Sequence, residues 1–107
     1  MPVLTVVQIK ANLPWKCVRT KDGSYIGICD PLKITLLADS VPDLQEEIGI
    51  TLDALLRDVM NDGELDRFLR EQGWTAVGPV PNGQVRFNVP FYIEPTDENG
   101  QQAAIHK

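Results

Sequence analysis

SYIGICDPLKITLLADSVPDLQEEIGITLDALLRDVM, residues 24–60, contains two short apolar runs, Tyr25 to Cys29 and Ile34 to Ala38, then a polar junction, Asp39-Ser40, and a long amphipathic segment. The two runs read as strands feeding one helix. Ser40 carries an acceptor oxygen for the free N–H groups of a first helical turn. Asp43, three residues on, can answer in capping-box fashion and meet the positive end of the helix dipole. Pro42 fits the first turn, where its missing N–H costs nothing. Leu44, Ile48, Leu52, Leu55, Leu56, Val59 and Met60 then recur at helical spacing, while Asp43, Gln45, Glu46, Glu47, Asp53 and Asp58 fall elsewhere. A helix over Ser40 to Met60 with such a stripe must lie on a sheet, and the strands before it are the candidate.

Upstream, Val3, Thr5, Val7 and Ile9 share one parity while Leu4 and Val6 share the other, which fits an edge or partner-pairing strand over Pro2 to Lys10. Asn12-Leu13-Pro14 interrupts it. Trp15, Cys17 and Arg19 alternate with Lys16, Val18 and Thr20, and Asp22-Gly23 supplies the positive-φ position of a tight hairpin into Tyr25 to Cys29. Asp30-Pro31 ends that strand, and Lys33 to Ala38 follows so soon that antiparallel meander pairing is the economical topology.

Downstream, Gly49 sits inside the helical stripe, where it marks a bend or a close approach of helix to sheet. Asn61-Asp62-Gly63 is a stop signal. A second helix, Glu64 to Gln72, carries Leu65, Phe68 and Leu69 on one face and ends at Gly73, a left-handed cap. Trp74 to Val77 reads as a short strand. From Gln84 to Glu94, Val85, Phe87, Val89, Phe91 and Ile93 alternate with Arg86, Asn88, Pro90 and Tyr92, the clearest alternation in the chain, with Pro90 pointing to an edge position or a bulge. The expected architecture is therefore α+β: an antiparallel sheet with a β-β-β-α-β core, the main helix on one face and the shorter helix at its flank. Residues 1–94 read as one domain and 95–107, PTDENGQQAAIHK, as a flexible tail.

Composition narrows the function classes. With 107 residues, 43% hydrophobic and 23% charged, the chain is an ordinary globular one, and its formal net charge of −5 suits a basic partner better than a phosphate backbone. No apolar run approaches membrane-spanning length and no secretory leader is visible, so a cytoplasmic location is expected. Cys17 and Cys29 read as two reduced, packed thiols whose mutual facing depends on hairpin register. The lone histidine, His106, leaves a Ser/His or Cys/His nucleophile without a base, and no cysteine or histidine spacing suits zinc. Most carboxylates sit in turns, caps and solvated helix faces rather than converging from strands as a two-metal nuclease requires. The eight glycines are dispersed, so no phosphate cradle is expected. No enzyme activity, metal or other cofactor is expected.

The order of hairpin, third strand and capped amphipathic helix resembles the HicB-like antitoxin family. The residues that carry it are Asp22-Gly23-Ser24-Tyr25 opening the second strand, Cys29-Asp30-Pro31-Leu32 at the next turn, and Ala38-Asp39-Ser40 followed by Val41-Pro42-Asp43-Leu44 at the helix entrance. The match covers about Leu13 to Met60, with Gln84 to Ile93 as the returning strand. The resemblance implies a degraded ribonuclease H-like fold without its catalytic carboxylates, and a small basic partner, a HicA-type toxin that cleaves mRNA. No C-terminal DNA-binding segment is expected. A homodimer or higher homo-oligomer is expected, with exposed sheet edges as a route to either contact. Exposed positions of the hairpin and helix entrance, Lys21, Tyr25, Asp30, Asp39 and Asp43, are the candidate partner contacts. The local account of each is ordinary: Tyr25 as a core-edge aromatic, Asp30 as a turn residue, Asp39 and Asp43 as helix-start residues. Two other expectations compete. One is nucleic-acid binding through an aromatic sheet face formed from Trp15, Tyr25, Trp74, Phe87, Phe91 and Tyr92, which lacks interleaved basic residues. The other is a stand-alone homo-oligomer of different role.

Overall fold

The protein's computed structural model describes residues 4–81 and 83–96. In chain order the elements are β1 Thr5–Lys10, β2 Pro14–Arg19, β3 Tyr25–Cys29, β4 Ile34–Ala38, α1 Val41–Asn61, α2 Leu65–Gln72, β5 Thr75–Val77, β6 Val85–Asn88 and β7 Tyr92–Thr96. This is the α+β class, with one long main helix and a shorter one. The sequence reads as one domain over residues 1–94; in the structure the described residues group into two compact units, with boundaries at Asn12/Leu13, Ile48/Gly49 and Pro90/Phe91.

The unit formed by residues 13–48 and 91–96 is built on a four-stranded sheet of order β4-β3-β2-β7. β2, β3 and β4 pair antiparallel in sequence, as the short connections require. The β2–β3 hairpin turns on Gly23 at φ +94, with the Gly23 N–H donating to the Thr20 carbonyl at 3.1 Å. On the inner face Trp15, Cys17 and Cys29 are buried, and Leu44 and Ile48, on the first turns of α1, are fully buried. Gly27 allows the closest helix approach. A Cβ there would lie 2.9 Å from Leu44 Cδ1.

The returning strand of this sheet is the main correction to the sequence reading. It is β7, and it pairs parallel to β2, with Trp15 opposite Ile93 and Lys16 opposite Glu94. The alternation from Gln84 to Glu94 is therefore two strands, not one, and the sheet is mixed rather than wholly antiparallel. Pro90 has no N–H to give to a ladder, and the chain leaves one sheet after Asn88 and enters the other at Tyr92. Of the tail expected at 95–107, Pro95 and Thr96 belong to β7, opposite Cys17 and Val18. Residues 97–107 lie outside the described residues.

The unit formed by residues 4–12 and 49–90 carries a three-stranded sheet of order β5-β1-β6. β1, expected at an edge, is its central strand, antiparallel to β5 and parallel to β6. Its parity sets its two faces: Val7 and Ile9 are buried on one, and Leu4 and Val6 are exposed on the other. Leu52, Leu56, Leu65, Leu69, Trp74, Val85, Phe87 and Val89 complete the buried hydrophobic set among this unit's described residues. Each helix ends with a paired exit. The Gly63 N–H bonds the Met60 carbonyl and the Glu64 N–H that of Val59, while the Gly73 N–H bonds the Arg70 carbonyl and the Trp74 N–H that of Leu69. The Phe68 ring meets Trp74 edge-on at 5.8 Å between centroids. Gly49 does not mark a close approach of helix to sheet, since a Cβ there would meet nothing within 4 Å.

Candidate functional site

The residues picked out by sequence divide between the two ends of the four-stranded sheet. Lys21 is exposed at the tip of the β2–β3 hairpin, and Tyr25 opens β3 half-buried, opposite Arg19 and Ala38. The chain passes from Ala38 straight to Asp39, so the hairpin, the exit of β4 and the entrance of α1 share one end of the sheet. Asp30 does not. It follows β3 at the other end, about 17 Å of extended chain from Tyr25, where its carboxylate pairs with Lys16 Nζ at 3.3 Å across an exposed surface.

The hairpin itself is held by local hydrogen bonds. The Thr20 hydroxyl donates to Asp22 Oδ1, and the Ser24 N–H donates to the same oxygen at 3.1 Å. These two donors hold the Asp22 carboxyl below its ordinary range, that of Thr20 first. Asp22 is thereby used inside the turn, which leaves Lys21 as the outward charge.

At the helix entrance Ser40 acts as expected. Its Oγ accepts the Asp43 N–H at 3.2 Å, and its carbonyl accepts the Leu44 N–H at 2.9 Å. Asp43 itself is exposed in the first turn. With Leu37, Ala38, Asp39, Glu46 and Glu47 it lines a shallow depression of about 280 Å³. Four of the six lining residues carry carboxylates and none carries a positive charge. Glu46 and Glu47 were not among the sequence candidates, although positions three and four after Asp43 lie on its helical face. β4 runs along this depression as an edge strand, so one side of its backbone is open to a further strand.

The depression offers exposed carboxylates beside an open strand edge. Among the described residues, no group of three or more His, Cys, Asp and Glu is placed to hold a metal ion. Among them too, no helix is long and apolar enough to cross a membrane. Cys17 and Cys29 share the inner face without standing opposite one another, because Cys17 pairs with Gly27 and Cys29 with Ile34. Burial pushes both thiols above their ordinary value; at Cys29 a backbone hydrogen bond with Leu32 works against that shift and the Asp30 charge adds to it. Of the aromatics considered for base stacking, Trp15, Trp74 and Phe87 are buried. A larger cavity of about 550 Å³ in the other unit is lined by Leu4, Ala54, Arg57, Asp58, Met60, Asn61, Gly83, Gln84 and Val85. It holds no nucleophile–base pair, and Arg57 is engaged by Asp53 at 3.0 Å.

Comparison of the chain with protein-family models, with curated proteins and with solved structures finds no match.

Proposed function

We propose that the chain is a HicB-like, non-catalytic binding protein of the antitoxin type, which sequesters a small basic HicA-like toxin that cleaves mRNA. The observation that carries this reading is the depression at the start of α1, where Asp39, Asp43, Glu46 and Glu47 stand beside the open edge of β4 with no cation among them. A basic protein offering a strand would find backbone partners and complementary charge together. The net charge of −5 favours the same encounter over a wide surface. The resemblance over Leu13 to Met60 supplies the class of partner, and the β-β-β-α-β order of that unit, with its last strand beside its first, agrees with the fold it implies.

The test is co-expression with a small basic HicA-type ribonuclease, followed by an RNA-cleavage assay on the purified pair. The wild-type chain is expected to form a stoichiometric complex and suppress cleavage. A variant with Asp43→Lys, Glu46→Lys and Glu47→Lys, all at exposed positions, is expected to keep its thermal melt and lose suppression. Full suppression by that variant counts against the reading, as does a wild-type chain that captures no basic protein from its native cytosol.

A further inference from the structure

The three-stranded sheet β5-β1-β6 buries one face and leaves the other to solvent. Val7, Ile9, Val85 and Phe87 are buried, and the intervening side chains of the same strands stand on the opposite face. Cross-strand register there sets Thr75 beside Lys10, Gln8 between Val77 and Asn88, and Val6 beside Arg86. All of these are exposed, Val6 by 50% and Val77 by 55%. The Asn88 amide donates to Gln8 Oε1 at 2.8 Å, which ties two strands together across the middle of the face.

Charge on this face runs against that of the chain. The sequence holds 15 acidic and 10 basic residues, yet among its described residues the face carries two cations, Lys10 and Arg86, and no carboxylate. Neither cation is in an ion pair among the described residues, whereas Arg57 and Arg67 of the same unit are held by Asp53 and Glu64. Lys10 lies four residues along β1 from Val6, and Arg86 one strand over from Val6. The two cationic positions are therefore about 14 Å apart.

We infer that this face is a docking surface for a short acidic, amphipathic segment of another protein, which sets carboxylates on Lys10 and Arg86 and apolar side chains on Val6 and Val77. Charge decides the class of partner. A nucleic acid requires clustered cations, and a chain of net charge −5 repels such a polyanion over a wide surface, while two lone cations match two carboxylates. Half-exposed aliphatic side chains, with no aromatic ring among the described residues of the face, give a base nothing to stack on and give leucine or valine a surface to bury. In an extended segment, alternate residues line one side and four steps cover about 13 Å, so an apolar residue midway between two acidic ones fits the spacing.

Size sets the strength. Three strands about 4.8 Å apart, over residues 6–10 at about 3.3 Å each, span roughly 240 Å² in projection. A standard interface buries about 800 Å² per partner, so the occupant is a short segment held transiently and not a folded domain. This unit shares no residue with the acidic depression, and the inference stands whether or not the toxin reading does.

The test presents the immobilised full chain to a displayed library of random peptides and titrates the enriched ones by fluorescence anisotropy, up to about 1 mM. Peptides with two acidic residues flanking an apolar one at alternate positions are expected to be enriched on the wild type. They are not expected on a Lys10→Glu, Arg86→Glu double variant, whose thermal melt is expected to match the wild type's. That variant is expected to bind such a peptide at least tenfold more weakly, and to regain binding when the peptide's two acidic residues are exchanged for lysine. Misfolding cannot produce that rescue. Enrichment of basic peptides alone, or of none, overturns the inference. So does a single-stranded RNA oligonucleotide that binds through Lys10 and Arg86, which would make the face a nucleic-acid surface, or self-association in sedimentation that the double variant loses, which would assign it to a second copy.

Discussion

Asp53 Oδ1 accepts the Phe87 N–H at 2.7 Å, so a helix side chain completes the open edge of a strand. β6 pairs with β1 on one side only, and the Phe87 N–H on the other side would otherwise lack an acceptor beside a ring that is 2% exposed. Leaving such a donor unpaired costs about 1–3 kcal/mol. Asp53→Ala is therefore expected to destabilise the protein by about that amount, and Asp53→Asn, which keeps an oxygen in reach, by clearly less. The salt bridge of Asp53 to the half-exposed Arg57 adds little. Urea unfolding, with amide exchange at Phe87, separates the two variants; equal losses in both would assign the stabilisation to the ion pair instead.

Gly27 is required by packing and not by its backbone. A Cβ at 2.9 Å from Leu44 Cδ1 and 3.2 Å from Cδ2 must displace a fully buried leucine. Gly27→Ala is expected to cost about 1–3 kcal/mol, the usual range for an overpacked core. Combining it with Leu44→Ala, which removes the obstructing atoms, should give a double variant less destabilised than the two single losses added together. Simple additivity in denaturant titrations would mean that the strand and helix do not meet here.

The same logic reverses at Gly49. Nothing lies within 4 Å of an added Cβ and its φ is not positive, so the glycine contributes only backbone freedom to the middle of α1. Gly49→Ala is expected to stabilise the chain by up to about 1 kcal/mol. A raised denaturation midpoint checks it, and a lowered one would show that helix flexibility at this point is needed by the fold.

What could be read in the sequence was what repeats locally. The α1 stripe through Leu44, Ile48, Leu52 and Leu56, the β2–β3–β4 meander and the Ser40 cap each follow from spacing or from a single side-chain acceptor. Pairing partners were less legible, because a two-residue period says which way a side chain points and not which ladder its backbone joins. Val85 to Ile93 alternates without a break, yet Phe87 and Ile93 belong to different sheets. Asp53 looked like one more solvated acid, since its acceptor role depends on a residue 34 positions away. At the candidate site, Asp39 and Asp43 were found through helix-start chemistry. Glu46 and Glu47 follow from helical spacing only once the β4 edge is known to run beside them, and Asp30 was drawn in although it lies at the far end of β3.

The buried thiols give the chain an alkaline limit. Burial raises Cys17 and Cys29 above the ordinary thiol value of 9.0, so each holds its proton in the folded chain to a higher pH than in the unfolded one. Below that value both states are protonated and the thiols add no pH dependence. As pH climbs past it, the unfolded chain releases protons that the folded chain retains, fewer protons are bound in the unfolded state, and unfolding free energy falls with pH. Stability measured by urea titration is expected to drop more steeply above about pH 9 in the wild type than in Cys29→Ala, after allowing for the variant's lower starting stability. The same burial predicts slow labelling of the native protein by a thiol reagent near neutral pH and fast labelling in denaturant. Parallel alkaline slopes for the two proteins would show that these thiols ionise as readily folded as unfolded.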